Sequence, residues 1–129
     1  MKKTRRELRI EIMNLLYQSD LYAPENIPVM PELDDEEIRV MYHDIMCHQS
    51  EIDHAIETSL FDYKLSRLAY VDRAIIRLAV YEMLKTDLAH EVIIDEAVEL
   101  TKIYSNLDDQ KQHKFTNRLL DNISRAIKG

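Results

Sequence analysis

The only glycine in this 129-residue chain is its last residue, Gly129, and the three prolines all fall between positions 24 and 31. Sheet-rich folds depend on glycine and proline at tight turns, because the common hairpin turns need a positive φ. A chain without them is expected to be all-α. The same shortage means that helices must end on Asn, Ser or Asp, or at the proline segment, instead of on a left-handed glycine. With 46% hydrophobic residues, a chain of this length folds around one core and removes about two thirds of its unfolded surface from water. A single domain over residues 1–129 is the expectation.

Apolar spacing places the helices. Leu8, Ile12, Leu15 and Leu16 predict a first amphipathic helix over residues 4–22, followed by a proline-containing loop over 22–34. A second helix is expected to start near Asp34 or Asp35, where a carboxylate caps free N–H groups, and to bury Ile38, Met41, Ile45 and Cys47. Ser50 and Asp53 form a capping-box-like start for a third, continued by Ile52, Ala55, Ile56, Ser59 and Leu60. Residues 64–70 join the halves. From 71 to 84 apolar residues occupy most sides, interrupted by Asp72, Arg73, Arg77 and Glu82, so this helix should be central. Ile93, Ala97, Leu100, Thr101 and Tyr104 mark the next helix, and Phe115, Leu119, Leu120, Ile123 and Ile127 the last.

Cys47 is the only cysteine, which excludes an internal disulfide or a thiolate cluster. Its apolar neighbours predict a small buried residue, not a reactive thiol. No apolar run approaches the ~18 residues of a membrane span, and Arg9 and Glu11 interrupt what would be the apolar region of a signal peptide. A cytoplasmic protein is expected. Glu51 and His54 have the spacing of half a di-iron site, but no second Glu-x-x-His exists and solvated surface charge is the simpler reading. Asp44 and His48 lie one turn apart, as many exposed pairs do. Phosphate loops and nucleophile elbows need glycines this chain lacks. No catalytic residue, metal site or cofactor is expected.

The net charge of −7 hides an asymmetry: residues 1–9 carry five Lys/Arg against Glu7, or +4, which leaves −11 for residues 10–129. An acidic body repels nucleic acid, so any RNA site must be local. Lys2, Arg5, Arg6 and Arg9 lie within about half a turn at 100° per residue. Cations there oppose the helix dipole at up to about 1 kcal/mol each, so something should compensate them. RNA phosphates would do so and suit arginine's planar fork; a solvated basic tail is the alternative. Tyr17 and Phe115 could each stack on an unpaired base, for about 1 to 3 kcal/mol, or simply pack in the core.

Four motifs resemble one family. RRELR followed by NLLYQ, then RLAYVDRAIIRLAVYEM, IIDEAVELTKIY and HKFTNRLLDNI are similar, in this order, to the opening, central helix and last two helices of the NusB family of bacterial transcription antitermination factors. The likeness covers roughly residues 5–20 and 66–123. It implies two packed three-helix bundles and binding of boxA, a short single-stranded element of the ribosomal leader transcript. The family binds it together with NusE, a small-subunit ribosomal protein, in the RNA polymerase antitermination complex that reads through termination signals during ribosomal RNA synthesis. By position, Arg5, Arg6 and Arg9, with Lys2, match the family's RNA-binding arginines. Lys114, Phe115 and Asn117 match a motif on the same RNA surface, and Tyr17 and Asp72 match positions that meet NusE.

The chain departs from the family in four places. Arg118 replaces the Gly of K-F-V-N-G and adds charge at the RNA surface, so it joins the RNA-binding set. Asp95 replaces an Asn, Ala89 a helix-starting Pro, and Ser105-Asn106 a helix-ending Gly. A helical adaptor that binds NusE without RNA is the competing reading, favoured by the −7 charge and by Arg118. An RNA-modifying role, by analogy with NusB-like domains fused to methyltransferases, would need a separate catalytic subunit. A wide apolar helix surface suits a monomer or a homodimer equally.

Overall fold

The structure, a computed structural model, describes residues 3–26, 35–60, 64–105 and 111–129. Among these are six α-helices and no strand: α1 (Arg5–Tyr22), α2 (Glu36–Cys47), α3 (Gln49–Glu57), α4 (Tyr70–Lys85), α5 (His90–Tyr104) and α6 (Lys111–Lys128). They form two three-helix bundles, α1 to α3 and α4 to α6, as expected for the fold. Helix α4 joins them, packing on α1 and α3 on one side and on α5 and α6 on the other.

Local chemistry explains most boundaries. Thr4 is extended and its hydroxyl accepts the Glu7 N–H at 3.1 Å, which starts α1. At the far end a short 3-10 turn, Ala23–Glu25, carries Pro24, and Asn26 adopts the left-handed conformation at φ 56°. Asn thus does the work glycine usually does. Asn106, the other candidate for that role, lies outside the described residues. Asp35, not Asp34, caps α2 by accepting the Glu37 and Ile38 N–H groups at 3.0 and 3.3 Å.

Three expectations fail here. Ser50 does not cap α3, which begins directly after His48; Asp53 reaches across to Arg77 instead. Helix α3 stops at Glu57, and Ser59 and Leu60 lie in the turn that follows, their N–H groups bonded to the Ile56 and Glu57 carbonyls. Cys47 is exposed. The buried residues of α2 are Ile38, Tyr42 and Ile45, and at 100° per residue Cys47 points about 180° away from Ile38. Apolar neighbours in sequence were a poor guide, because they belong to the other side of the helix.

Helix α4 is buried continuously from Ala74 to Met83. Its interrupting charges are all bound. Arg77 donates to Asp20 of α1 at 2.8 and 2.9 Å and to Asp53 of α3 at 2.8 and 3.1 Å. Arg73 donates to the Leu68 and Ser66 carbonyls at 2.9 and 3.0 Å. The apolar core around α4 includes Ile12, Ile38, Ile52, Ile56, Ile93, Leu100, Leu120 and Ile123, each worth about 1.5 to 3 kcal/mol on burial. Tyr104, expected in the stripe of α5, is instead exposed at its end, while Phe115 and Ile127 pack on the rim of the core.

Arg77→Ala would leave Asp53 without its partner and Asp20 with only Arg73, 3.9 Å away, and breaking a buried pair costs about 3 kcal/mol or more. Urea denaturation should therefore show a clearly lower midpoint for the variant; an unchanged midpoint would refute the role given to Arg77.

Candidate nucleic-acid interface

The basic start of α1 does not form one stripe facing solvent. Arg5 pairs with Glu37 of α2 at 3.3 Å, Arg6 donates twice to Glu96 of α5 at 3.1 and 3.2 Å, and Arg9 donates twice to Glu82 of α4 at 3.0 Å. Lys3 sits 2.8 Å from Glu11 and 3.6 Å from Asp35. The charges that oppose the α1 dipole are thus compensated by the protein's own carboxylates, where the sequence suggested RNA phosphates. Lys2 lies outside the described residues.

Burial separates these arginines into two kinds. Arg5 and Arg6 keep about half of their side chains exposed, 53% and 47%. Exposed pairs of this sort are weak and exchangeable. Glu96 is nonetheless held below the usual carboxylate range by its hydrogen bonds to Arg6. Arg9 is different: its side chain is 7% exposed against 2% for Glu82. With its Nε and Nη2 occupied and its surroundings closed, Arg9 is not placed to receive a phosphate. It positions α1 on α4, and the arginine that the resemblance assigned to RNA is bound in this structure to Glu82. The signal was present in the sequence, since at 100° per residue Arg9 falls among Ile12, Met13 and Leu16 on the buried side of α1. Glu82, Glu37 and Glu96 were not found by sequence reasoning; only Glu82, a lone acid deep in an apolar helix, offered a hint.

The second cluster lies on α6. Lys114, Asn117 and Arg118 are exposed, and Phe115 is half-buried. Lys114 and Arg118 make no ion pair among the described residues. Helices α1 to α5 each have an acid in the first turn, whereas α6 has none. Its first turn instead carries Lys111 and Lys114. Among the described residues no hydrogen bond or ion pair joins Lys114, Asn117 or Arg118 to the α1 arginines; α5 connects the two clusters by holding Arg6 through Glu96 and packing on α6.

Phe115 and Asp72 line one cleft of about 300 Å³ together with Arg67, Leu68 and Lys111. The Ser105 hydroxyl donates to Asp72, tying the start of α4 to the end of α5. Burial pushes the Asp72 carboxyl above its ordinary range, with the Ser105 and Gln112 hydrogen bonds opposing the shift. Tyr17 is 38% exposed and meets Tyr70 edge-on at 6.2 Å, while the Arg73 guanidinium lies 4.5 Å from the centre of the Tyr70 ring. Tyr17 therefore belongs to an exposed aromatic edge continued by Leu21, not to the core.

A wider groove of about 820 Å³ runs along α2, lined by Glu36, Glu37 and Asp44 together with Arg39 and His43. Arg39 lies 3.8 Å from Glu36, and Arg5 pairs with Glu37. Asp44 also accepts from Tyr81 at 2.6 Å and approaches His48 at 3.3 Å, so that pair does touch. Among the described residues no group of three His, Cys, Asp or Glu is placed to hold a metal, and no helix is long and apolar enough to cross a membrane.

Two bundles sharing a central helix, with a cationic edge on an acidic body, define a small all-helical domain suited to a local polyanion contact. Its family is shown by comparison: the NusB family pattern matches residues 4–125, and the chain belongs to the NusB family. A transcription antitermination protein NusB of Campylobacter jejuni is 35% identical over 133 residues, covering 97% of this chain and 98% of its own. The solved T. maritima NusB superposes with a TM-score of 0.80 at 32% identity, covering 97% of this chain and 93% of its own. A crystal structure of antitermination factors NusB and NusE in complex with dsRNA matches with a TM-score of 0.73 at 28% identity, covering 98% of this chain and 99% of that one.

Two outcomes test the division among the arginines and the state of Asp72. Arg9→Ala should lose about 3 kcal/mol of stability, whereas Arg6→Ala should leave the melting temperature nearly unchanged; equal losses would show that burial does not separate them. Because the folded Asp72 holds its proton more tightly than the unfolded one, wild-type stability relative to Asp72→Asn should fall as pH rises from the ordinary aspartate range through the raised value, and then level off. Urea midpoints across a pH series would read this, and a relative stability that climbs with pH would contradict it.

Proposed function

We propose that this protein is a transcription antitermination factor that binds boxA-type single-stranded RNA together with NusE and promotes read-through by RNA polymerase during ribosomal RNA transcription. The observation that carries the RNA reading is the start of α6, where Lys114 and Arg118 stand exposed and unpaired among the described residues, in a chain of net charge −7. Phe115, on the rim of the core, offers an aromatic edge to an unstacked base. Asn117 can read a base edge, and the cations fix the backbone. Arg118, where the family has Gly, adds a phosphate contact.

Arg5 and Arg6, with Lys2, complete the RNA surface by exchanging their carboxylate partners for phosphates. Arg9 contributes by holding α1 in place. The aromatic edge at Tyr17 and the cleft beside Asp72 form the contact with NusE, and Phe115, which lines the same cleft, lies where that contact meets the RNA surface. Asp72 acts there by tying the start of α4 to the end of α5, since its carboxylate is buried. The RNA chemistry is binding and positioning, with no catalytic step, in the cytoplasm, and residues 1–129 act as one domain. A NusE-binding adaptor without RNA recognition is the second reading, favoured because every described cation at the start of α1 already has a carboxylate partner.

Fluorescence anisotropy with a boxA-like RNA and a scrambled RNA, with and without NusE, across a salt series decides between them. Five phosphate contacts, at Lys2, Arg5, Arg6, Lys114 and Arg118, predict a slope of log affinity against log salt of about −3.5. Glu96→Gln should tighten RNA binding by releasing Arg6, and Lys114→Ala should weaken it. NusE binding with no response to either RNA would establish the adaptor instead.

A further inference from the structure

Cations continue along α6 beyond the residues considered so far. Lys111, Lys114, Arg118, Arg125 and Lys128 recur at intervals of three, four or seven residues and are all exposed. At 100° and 1.5 Å per residue they occupy an arc of about 100° over a length of about 25 Å. Asp121 is the one acid on that arc, and it pairs at 2.8 Å with Arg125, whose side chain is 76% exposed. Such a pair yields readily to a competing anion. Lys114, Arg118 and Lys128 make no ion pair among the described residues. Five cations against one acid give this helix face a charge of +4, while the whole chain carries −7.

That contrast with α1 is informative. The arginines of α1 are each occupied by a carboxylate from another helix, so they are partly neutralised in the free protein. Lys114, Arg118 and Lys128 of the α6 stripe have no such partner among the described residues, and the stripe is therefore a place where a polyanion is attracted to this acidic protein. Phe115 is the only Phe, Tyr or Trp of α6. Past it the stripe offers charge without a stacking surface, which holds a backbone but reads no base.

We infer that the α6 stripe is a sequence-independent track for the RNA backbone, along which nucleotides flanking the element bound at Lys114 and Phe115 continue toward Arg125 and Lys128. The inference rests on the RNA-binding reading above and extends it to the length of RNA engaged. The continuity of the stripe with Lys114 and Arg118, which belong to both surfaces, favours RNA over an acidic protein as the occupant.

The test compares a minimal boxA-like RNA with the same RNA extended by six uridines at the 5′ end or the 3′ end. Each is measured by anisotropy against the full chain and against Arg125→Gln/Lys128→Gln, with circular dichroism to verify folding. Extension at one end should tighten binding several-fold at low salt and steepen the salt slope by about 0.7 for each added contact. The double variant should lose that gain while binding the minimal RNA as the wild type does. No gain from either extension, or a gain that persists in the double variant, would overturn the track. A minimal RNA bound no better than a scrambled one would defeat the boxA reading separately; the track would then stand only if uridine extensions still bound through Arg125 and Lys128. A polyglutamate peptide that removes the gain more effectively than polyuridine would reassign the stripe to an acidic protein and overturn the inference.

Discussion

Everything in this fold depends on α4 being buried along its length while carrying charge. A charged group taken out of water is costly unless a partner and its hydrogen bonds come with it. Arg77 draws in Asp20 from α1 and Asp53 from α3, Glu82 draws in Arg9 from α1, and Asp72 takes the Ser105 hydroxyl from the end of α5. Apolar contact supplies the bulk of the driving force, but it is non-directional. The charged contacts are directional, and they define how α1 and α3 sit against the central helix.

The same economy of charge shapes the surface. At the start of α1 the protein supplies its own anions, so phosphates would have to displace Glu37 and Glu96 before reaching Arg5 and Arg6. On the RNA-binding reading proposed above, such competition would favour ligands that also engage Lys114 and Arg118, which make no ion pair among the described residues. Affinity would then require contacts at two places at once, a condition that a particular RNA shape meets better than an arbitrary one.

The departures from expectation have separate causes. Cys47 points away from the buried side of α2, about 180° from Ile38, whereas Tyr104 lies on the apolar side of α5 but is its last residue and is exposed there. Ser50 had the spacing of a cap, but His48 brings the chain into α3 directly and Asp53 is committed to Arg77. Arg9 is the instructive reverse. Its place on the helical wheel among Ile12, Met13 and Leu16 already marked it as inward-facing, and grouping it with its basic neighbours obscured that.

Residue pattern alone determined that the chain is all-helical, that α4 is central, and that positive charge gathers at the start of an acidic protein. These are consequences of local periodicity and of what a chain almost without glycine can do. Only the tertiary structure decided which cations remain available to a ligand. That depends on carboxylates far away in sequence, 73 residues from Arg9 in Glu82 and 90 from Arg6 in Glu96. An ion pair needs both charges within a few ångströms, and that distance exists only after α1, α4 and α5 have packed.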